Sequence, residues 1–214
     1  FAVNPQILKY YIQLSKSLSW LLRHGAIKEV YIFVLFINGT VSILQHKSIR
    51  GKFARSDLER VVHVNDKQRF RLRNNPATDV LEIKANQGHS VQVTNVELLP
   101  ILEPKYNTVV HGTYLKCWPQ IKQQGLCCMR RQHIHFAKGT LEDRSVISGL
   151  RKDVEIYIFV DLQKALRDDI KFYESENGVI LSPGRDRYLE PGYFKKVITV
   201  KTGMLCVIKN GLLT

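Results

Sequence analysis

The sequence predicts an α+β protein in two parts, a helical first half closed by a basic hairpin and a second half built mainly of antiparallel strands. Three observations carry that prediction. Apolar residues recur at helical spacing near the start of the chain. The turn-rich segment Asn74-Asn75-Pro76-Ala77-Thr78-Asp79 separates two short strand-like runs. Beyond Pro100 and Pro104 the pattern changes to short apolar runs divided by turns.

The first element is a helix over residues 6–23, in which Ile7, Leu8, Tyr11, Ile12, Leu14, Leu18, Leu21 and Leu22 fall three and four residues apart. Gly25 is expected to end it as a C-terminal cap. Ser56-Asp57-Leu58-Glu59 reads as a capping box that opens a second helix through Leu58, Val61 and Val62 to about Val64. Strands follow at 69–73 and 80–84 around the turn. Helices followed by a basic hairpin predict a winged-helix module, an architecture that presents a helix and a wing to nucleic acid in some proteins and binds only protein in others.

The second half carries strand candidates at 109–111, 133–137, 154–161, 179–182 and 194–200 and one clear helix at 115–124. The parts divide as 1–99 and 100–214. Neither shows an internal repeat or a low-complexity tract. The apolar run 30–37 is read as a buried strand of the first part or an insertion.

Charge narrows the partners. Lys and Arg number 32 against 19 Asp and Glu, giving a net charge of +13 and a pI near 9.7. That excess favours a polyanion, nucleic acid first, although many basic proteins bind nothing anionic. A hydrophobic content of 44% supports packed cores rather than a disordered chain. The four cysteines, Cys117, Cys127, Cys128 and Cys206, form no Cys-x-x-Cys pair and no disulfide-like spacing, which points to a reducing compartment. With no leader-like segment, and the run 30–37 too short to span a bilayer, the expectation is a soluble, monomeric, intracellular protein of the cytoplasm, the nucleus or both, without membrane attachment.

Several polar groups stand out against this frame. Arg23 and His24 end the first helix, either as a dipole-compensating pair or as functional groups. In Asn65-Asp66-Lys67-Gln68-Arg69-Phe70, Arg69 can grip a phosphate with its planar fork or pair with Asp66 or Glu59. Asn86-Gln87-Gly88-His89-Ser90 contains a glycine suited to a turn or a close approach. In His111-Gly112-Thr113 a glycine that allows close backbone approach lies between two hydrogen-bonding side chains, an arrangement suited to ribose hydroxyls and a carboxamide. His133 and His135 alternate on one strand face and line a pocket better than they hold zinc, because no credible fourth ligand accompanies them and Cys127 or Cys128. Arg151 follows Ser148-Gly149-Leu150 at the mouth of an apolar strand. No metal site is expected.

In this order, together with Leu14-Ser15-Lys16-Ser17-Leu18-Ser19-Trp20-Leu21-Leu22-Arg23-His24-Gly25 and Asn177-Gly178-Val179-Ile180-Leu181, these segments resemble the RNA 2′-phosphotransferase family, the NAD+-dependent enzymes that act last in tRNA splicing. The resemblance spans about Leu14 to Val200 and departs from the family at the wholly apolar run 30–37 and at Leu150, where a methionine is usual. It implies an N-terminal winged-helix RNA lobe, a C-terminal ADP-ribosyltransferase-like lobe and an active site in the cleft between them. It also implies catalytic Arg23, His24, Arg69 and Arg151. NAD+, consumed as co-substrate, is expected on His111, Gly112, Thr113, His133, His135, Ser148, Asn177 and Gly178. RNA carrying a 2′-phosphate, spliced tRNA in the first place, is expected on Lys16, Lys67, Gln68, Arg71 and Arg73. Two rivals remain: an enzyme that stops after ADP-ribosylating a nucleic-acid terminal phosphate, and a catalytically silent RNA-binding module.

Overall fold

The computed structural model describes residues 5–25, 43–74, 81–90, 98–143 and 146–200, with the backbone of 205–206, 208–209 and 212–213. The apolar run 30–37 and residues 75–80 of the hairpin turn lie outside the described residues. Two compact units divide the chain, 1–93 and 94–214. Strand Leu98–Pro100 pairs with Tyr173–Ser175, so the last residues of the expected first part belong to the second.

In the first unit, helix α1 (Pro5–His24) buries Leu14, Leu18 and Leu22, one stripe at four-residue spacing. These pack with Ile49, Phe53, Leu58, Val61, Phe70 and Ile83. Gly25 ends α1 without the left-handed backbone of a glycine cap, and a Cβ there would meet Leu21 and Trp20 at 3.0 Å. Close packing rather than a positive φ favours glycine at that position. Helix α2 (Arg55–Val64) starts one residue before the expected Ser56, with Ala54 as its N-cap. The Asp57 carboxylate accepts the Ala54 amide at 2.8 Å, supplying the reciprocal half of a capping box. Tyr10 and Tyr11 donate to the same carboxylate and tie α1 to the start of α2. Strands β1 (Phe70–Asn74) and β2 (Leu81–Ala85) form the expected antiparallel hairpin, with Phe70 opposite Ala85.

The second unit holds two four-stranded antiparallel sheets. One is ordered β3-β8-β9-β6, from β3 (Leu98–Pro100), β6 (Ile134–Phe136), β8 (Tyr173–Ser175) and β9 (Ile180–Ser182). The other is ordered β12-β11-β7-β4, from β4 (Val110–Thr113), β7 (Ile156–Val160), β11 (Phe194–Thr199) and β12 (Leu205–Cys206). A bridge between Val110 and Ala137 joins them. Strand β7 is apolar throughout because both its faces are covered: Ile156, Ile158 and Val160 enter the main core with Phe136 and Phe172, while Tyr157 packs with Val110, Leu150 and Val154.

The predicted helix at 115–124 is a short 3-10 turn running into α3 (Trp118–Gln124). A second helix, α4 (Leu162–Arg167), corrects the expectation of one; six residues capped by Asp161 are too short for a periodic signal. Two-residue strands β5 (Leu126–Cys127) and β10 (Tyr188–Leu189) pair with each other, as do β13 (Ile208–Lys209) and β14 (Leu212–Leu213).

Candidate active site

The expected catalytic residues fall in both units, three in the first and one in the second. In the first unit the segment 86–90 gathers all three. Ser90 donates its amide to the Arg23 carbonyl at 3.1 Å, and its hydroxyl reaches the same oxygen at 3.3 Å. His24 Nδ1 lies 3.0 Å from that hydroxyl. Gly88 adopts φ +86°, and a Cβ on it would stand 3.4 Å from Arg23 Nε, so the side chain of Arg23 lies against bare backbone. At the other end of the segment, Asn86 donates its amide to the Arg69 carbonyl at 2.9 Å and its side-chain NH2 to the Gln68 carbonyl at 2.8 Å.

Arg69 is oriented by Asn65 at the C-terminal end of α2. The Asn65 Oδ1 accepts both the Arg69 amide at 3.1 Å and Nη1 at 3.3 Å. Asp66 stands farther away, at 3.8 Å, and is 69% exposed, so the anticipated pairing with Asp66 is long and solvated; Glu59 is engaged by Arg55 instead. Gln68, at φ 44°, turns the chain from α2 into β1.

In the second unit the His-Gly-Thr segment is β4 itself. His111 Nδ1 is 2.9 Å from the His135 carbonyl, which fixes the ring against β6. Burial pushes the His111 pKa down; the His135 carbonyl opposes this, and the charges of Arg151 and Arg131 add to the depression. His133 is likewise pushed down by burial, and its ring meets Tyr173 edge-on at 6.0 Å. The space beside Gly112 is already filled: a Cβ would come within 2.6 Å of Val154 and 2.8 Å of Leu150. The close approach anticipated at this glycine is therefore made by two apolar side chains.

Arg151 donates Nη1 to the Tyr114 hydroxyl at 3.0 Å and lies over the Tyr114 ring, 5.6 Å from its centroid. That hydroxyl donates in turn to Asp153 at 3.1 Å. The Tyr114 bond, with the Asp153 charge behind it, raises the Arg151 pKa against its partial burial. Burial and the nearby charge of Arg151 lower that of Arg131.

Around the turn between β8 and β9, Asn177 donates to Ser148 at 3.3 Å and accepts from Ser175 at 2.9 Å, while Gly178 takes φ +74°. Glu174 nearby accepts from Lys138, Tyr106 and Lys105; burial opposes its ionisation, but these bonds carry its pKa down to about 2.

The structure thus brings His111 and His135 together with Arg151 and Arg131 acting on His111, and separately joins Ser148 to Asn177. Thr113 is buried at the end of β4. Of the residues expected on RNA, Lys16 is exposed on α1, Gln68 is exposed in the turn with Lys67 beside it, and Arg71 and Arg73 are exposed on β1, where Arg73 pairs with Glu82 at 2.8 Å. Sequence reasoning missed Tyr114, Asn65 and Arg131. Tyr114 directly follows His-Gly-Thr, but only its distance from Arg151 reveals its use.

Cys117, Cys127 and Cys128 are free thiols, and among the described residues no group of three or more His, Cys, Asp or Glu side chains is placed to hold a metal ion. No helix among the described residues is long and apolar enough to cross a membrane.

This α+β protein holds Arg69 on the Asn65 amide oxygen, Arg151 on the Tyr114 hydroxyl and His24 beside Ser90 at the end of α1. Residues 9–184 match the model of the RNA 2′-phosphotransferase, Tpt1/KptA family. The chain is 45% identical over 201 residues to tRNA 2′-phosphotransferase 1 of Danio rerio, covering 89% of this chain and 86% of that protein. It is 46% identical over 197 residues to tRNA 2′-phosphotransferase 1 of Homo sapiens, covering 89% and 76%, and 37% identical over 182 residues to the tRNA 2′-phosphotransferase of Saccharomyces cerevisiae, covering 80% and 78%. The chain belongs to the RNA 2′-phosphotransferase family.

Proposed function

We propose that this protein transfers the 2′-phosphate of RNA, in the first place the splice-junction phosphate of tRNA, to NAD+. The products are RNA with a free 2′-hydroxyl, nicotinamide and ADP-ribose 1″,2″-cyclic phosphate. The observation that carries this reading is the gathering of Arg23, His24 and Arg69 on the single segment 86–90, in a chain whose relatives are named 2′-phosphotransferases.

The first unit is read as a winged-helix RNA lobe, a reading supported by helices α1 and α2 and the basic strands β1 and β2. The second is read as an ADP-ribosyltransferase-like lobe for NAD+, supported by its paired antiparallel sheets and the cations facing His111. His111, Gly112, Thr113, His133, His135, Ser148, Asn177 and Gly178 are assigned to the NAD+ side, Gly112 through its packing rather than by contact. Lys16, Lys67, Gln68, Arg71 and Arg73 are assigned to the RNA side. A monomer acting inside the cell, in the cytoplasm or the nucleus, completes the proposal.

In the first step a phosphate oxygen attacks C1″ of the nicotinamide ribose. The C1″–N bond breaks, its electron pair neutralises the pyridinium, and nicotinamide leaves without needing a proton. In the second step ribose O2″ attacks phosphorus and the P–O2′ bond breaks. The proton lost by O2″ is then balanced by one delivered to the departing RNA oxygen.

Arg23, Arg69 and Arg151 neutralise phosphate charge in both steps and stay protonated, so proton movement falls to His24. Its geometry suits that task. The Ser90 hydroxyl lies 3.3 Å from the Arg23 carbonyl and 3.0 Å from His24 Nδ1, so it holds the imidazole at the end of α1 in whichever tautomer the ring adopts.

The test is product analysis with a 2′-phosphorylated oligoribonucleotide and NAD+. The protein itself yields the cyclic phosphate, and His24→Ala accumulates 2′-phospho-ADP-ribosylated RNA. Normal product at the normal rate from His24→Ala overturns the assignment of His24. Nicotinamide release without any cyclic phosphate from the unaltered protein overturns the second step.

A further inference from the structure

We infer that Tyr114 is the positioning residue of Arg151, holding its guanidinium by a neutral oxygen and keeping it from the carboxylate of Asp153. This inference rests on the reading that Arg151 handles the phosphate in transfer.

The local backbone fixes the arrangement. Tyr114 follows β4 with an extended backbone, φ −112° and ψ 151°. Glu155 donates its amide to the Thr113 carbonyl at 2.9 Å, and its carboxylate accepts the Leu115 amide at 3.0 Å. The segments 113–115 and 153–155 are thus bonded on both sides of Tyr114, which sets its phenol beside Asp153. Val154 is buried, packing with Leu150, the residue before Arg151.

The hydrogen bonds then run in one direction. Tyr114 gives its only proton to Asp153 at 3.1 Å, so its oxygen lone pairs receive Arg151 Nη1 at 3.0 Å. The ring adds a second constraint, because the guanidinium lies 5.6 Å from its centroid. Arginine and carboxylate otherwise form strong two-point pairs, and an arginine engaged in one has its charge offset and its fork occupied. The phenol prevents this: among the described residues no ion pair within 4.0 Å joins Arg151 to Asp153. The positive charge stays available for a phosphate.

The same design recurs at Arg69 in the other unit. There the Asn65 amide oxygen takes Nη1 at 3.3 Å, while the nearer carboxylate, Asp66, is held off at 3.8 Å. In both places a neutral oxygen supplies the hydrogen bond, with Asp66 adding a long, solvated ion pair at Arg69 and Asp153 making none to Arg151.

The test compares Tyr114→Phe, Asp153→Asn, their combination and Arg151→Ala with 2′-phosphorylated RNA and NAD+. Tyr114→Phe keeps the ring and removes only the hydroxyl, so the thermal midpoint is expected to stay within a degree or two of the unaltered protein, about the shift a few tenths of a kcal/mol produces. Its kcat is expected to fall about tenfold, a loss of about 1.4 kcal/mol in transition-state stabilisation, with little change in KM for NAD+. With the hydroxyl gone Arg151 swings to Asp153; Asp153→Asn in the Tyr114→Phe background is therefore expected to recover most of the rate relative to Asp153→Asn alone.

Full activity of Tyr114→Phe alongside an inactive Arg151→Ala overturns the positioning role and leaves the functional reading standing. A slow Tyr114→Phe that Asp153→Asn does not rescue overturns the separation of Arg151 from Asp153. Normal turnover by Arg151→Ala overturns the role of Arg151 itself, and this inference with it.

Discussion

Replacing Gly112 by alanine tests whether the glycine of His-Gly-Thr serves a ligand or the core. A methyl group there would lie 2.6 Å from a Val154 methyl and 2.8 Å from a Leu150 methyl, about 1 Å inside normal carbon–carbon contact. Both neighbours are 5% exposed and have little room to yield. Overpacking of this kind costs about 1–3 kcal/mol. Val154→Ala alone, losing two buried methyl groups, costs about 2 kcal/mol. In the double variant the new methyl occupies space that Val154 vacates, so its cost is expected to fall short of the sum by about 1–2 kcal/mol. Urea unfolding followed by Trp118 fluorescence in a Trp20→Phe background reports the second unit separately, and the NAD+ KM is measured in parallel. Displacement of Leu150 carries Arg151 with it, so kcat is expected to drop in Gly112→Ala and recover in the double variant. Unchanged stability with a raised NAD+ KM would refute the packing argument and return the glycine to ligand contact.

Three further outcomes follow from the same geometry. Glu174→Gln removes a carboxylate held by two lysines and a tyrosine; the lysine side chains are 48% and 34% exposed, so screening limits the loss to about 1–2 kcal/mol. Because the folded pKa is depressed from 4.5 to about 2, the stabilisation is present above pH 4.5 and lost as pH falls toward 2. Acid unfolding curves should lose that slope in the variant, and an identical slope would show Glu174 is not its source. Asn65→Ala releases Arg69 from both bonds and should lower kcat about tenfold at constant fold, by steady-state kinetics and circular dichroism; an unaltered kcat shows that Arg69 needs no such support. RNA affinity measured across salt concentrations should lose about one unit of log–log slope in each of Lys67→Ala, Arg71→Ala and Arg73→Ala. A slope unmoved by all three changes removes them from the RNA surface.

Elements with a clear period were legible in the sequence. Helix α1 was readable because Leu14, Leu18 and Leu22 share one buried stripe, and β7 because a strand covered on both faces must be apolar throughout. What escaped was set by short-range geometry. Ser56 looked like a cap, yet the helix begins earlier because Asp57 reaches back to the Ala54 amide, a bond no residue type at 54 announces. Helix α4 was hidden because six residues following directly on β7 give no helical period of their own. The two-residue strands β5 and β10 are held by partners some sixty residues away, which local propensity does not register.

The site divides along the same line. Arg23, His24, Arg69 and Arg151 could be named through the family resemblance, since by type and position alone each also reads as a helix-end, salt-bridging or loop cation. Their supports could not, because Ser90, Asn65 and Tyr114 work through pairings across 66, 4 and 37 residues. Asn65 shows the cause most plainly: four residues from Arg69, it read as part of a polar cluster, and only the fold reveals that its oxygen receives both the Arg69 amide and its guanidinium. A charged residue in a family motif draws notice by its type, whereas a neutral residue that aims it has no signature apart from geometry. Arginines that must meet a phosphate are better aimed by such neutral residues, since a carboxylate partner would compete with the substrate for the same fork. The groups that prepare this site are therefore the ones a sequence is least able to disclose.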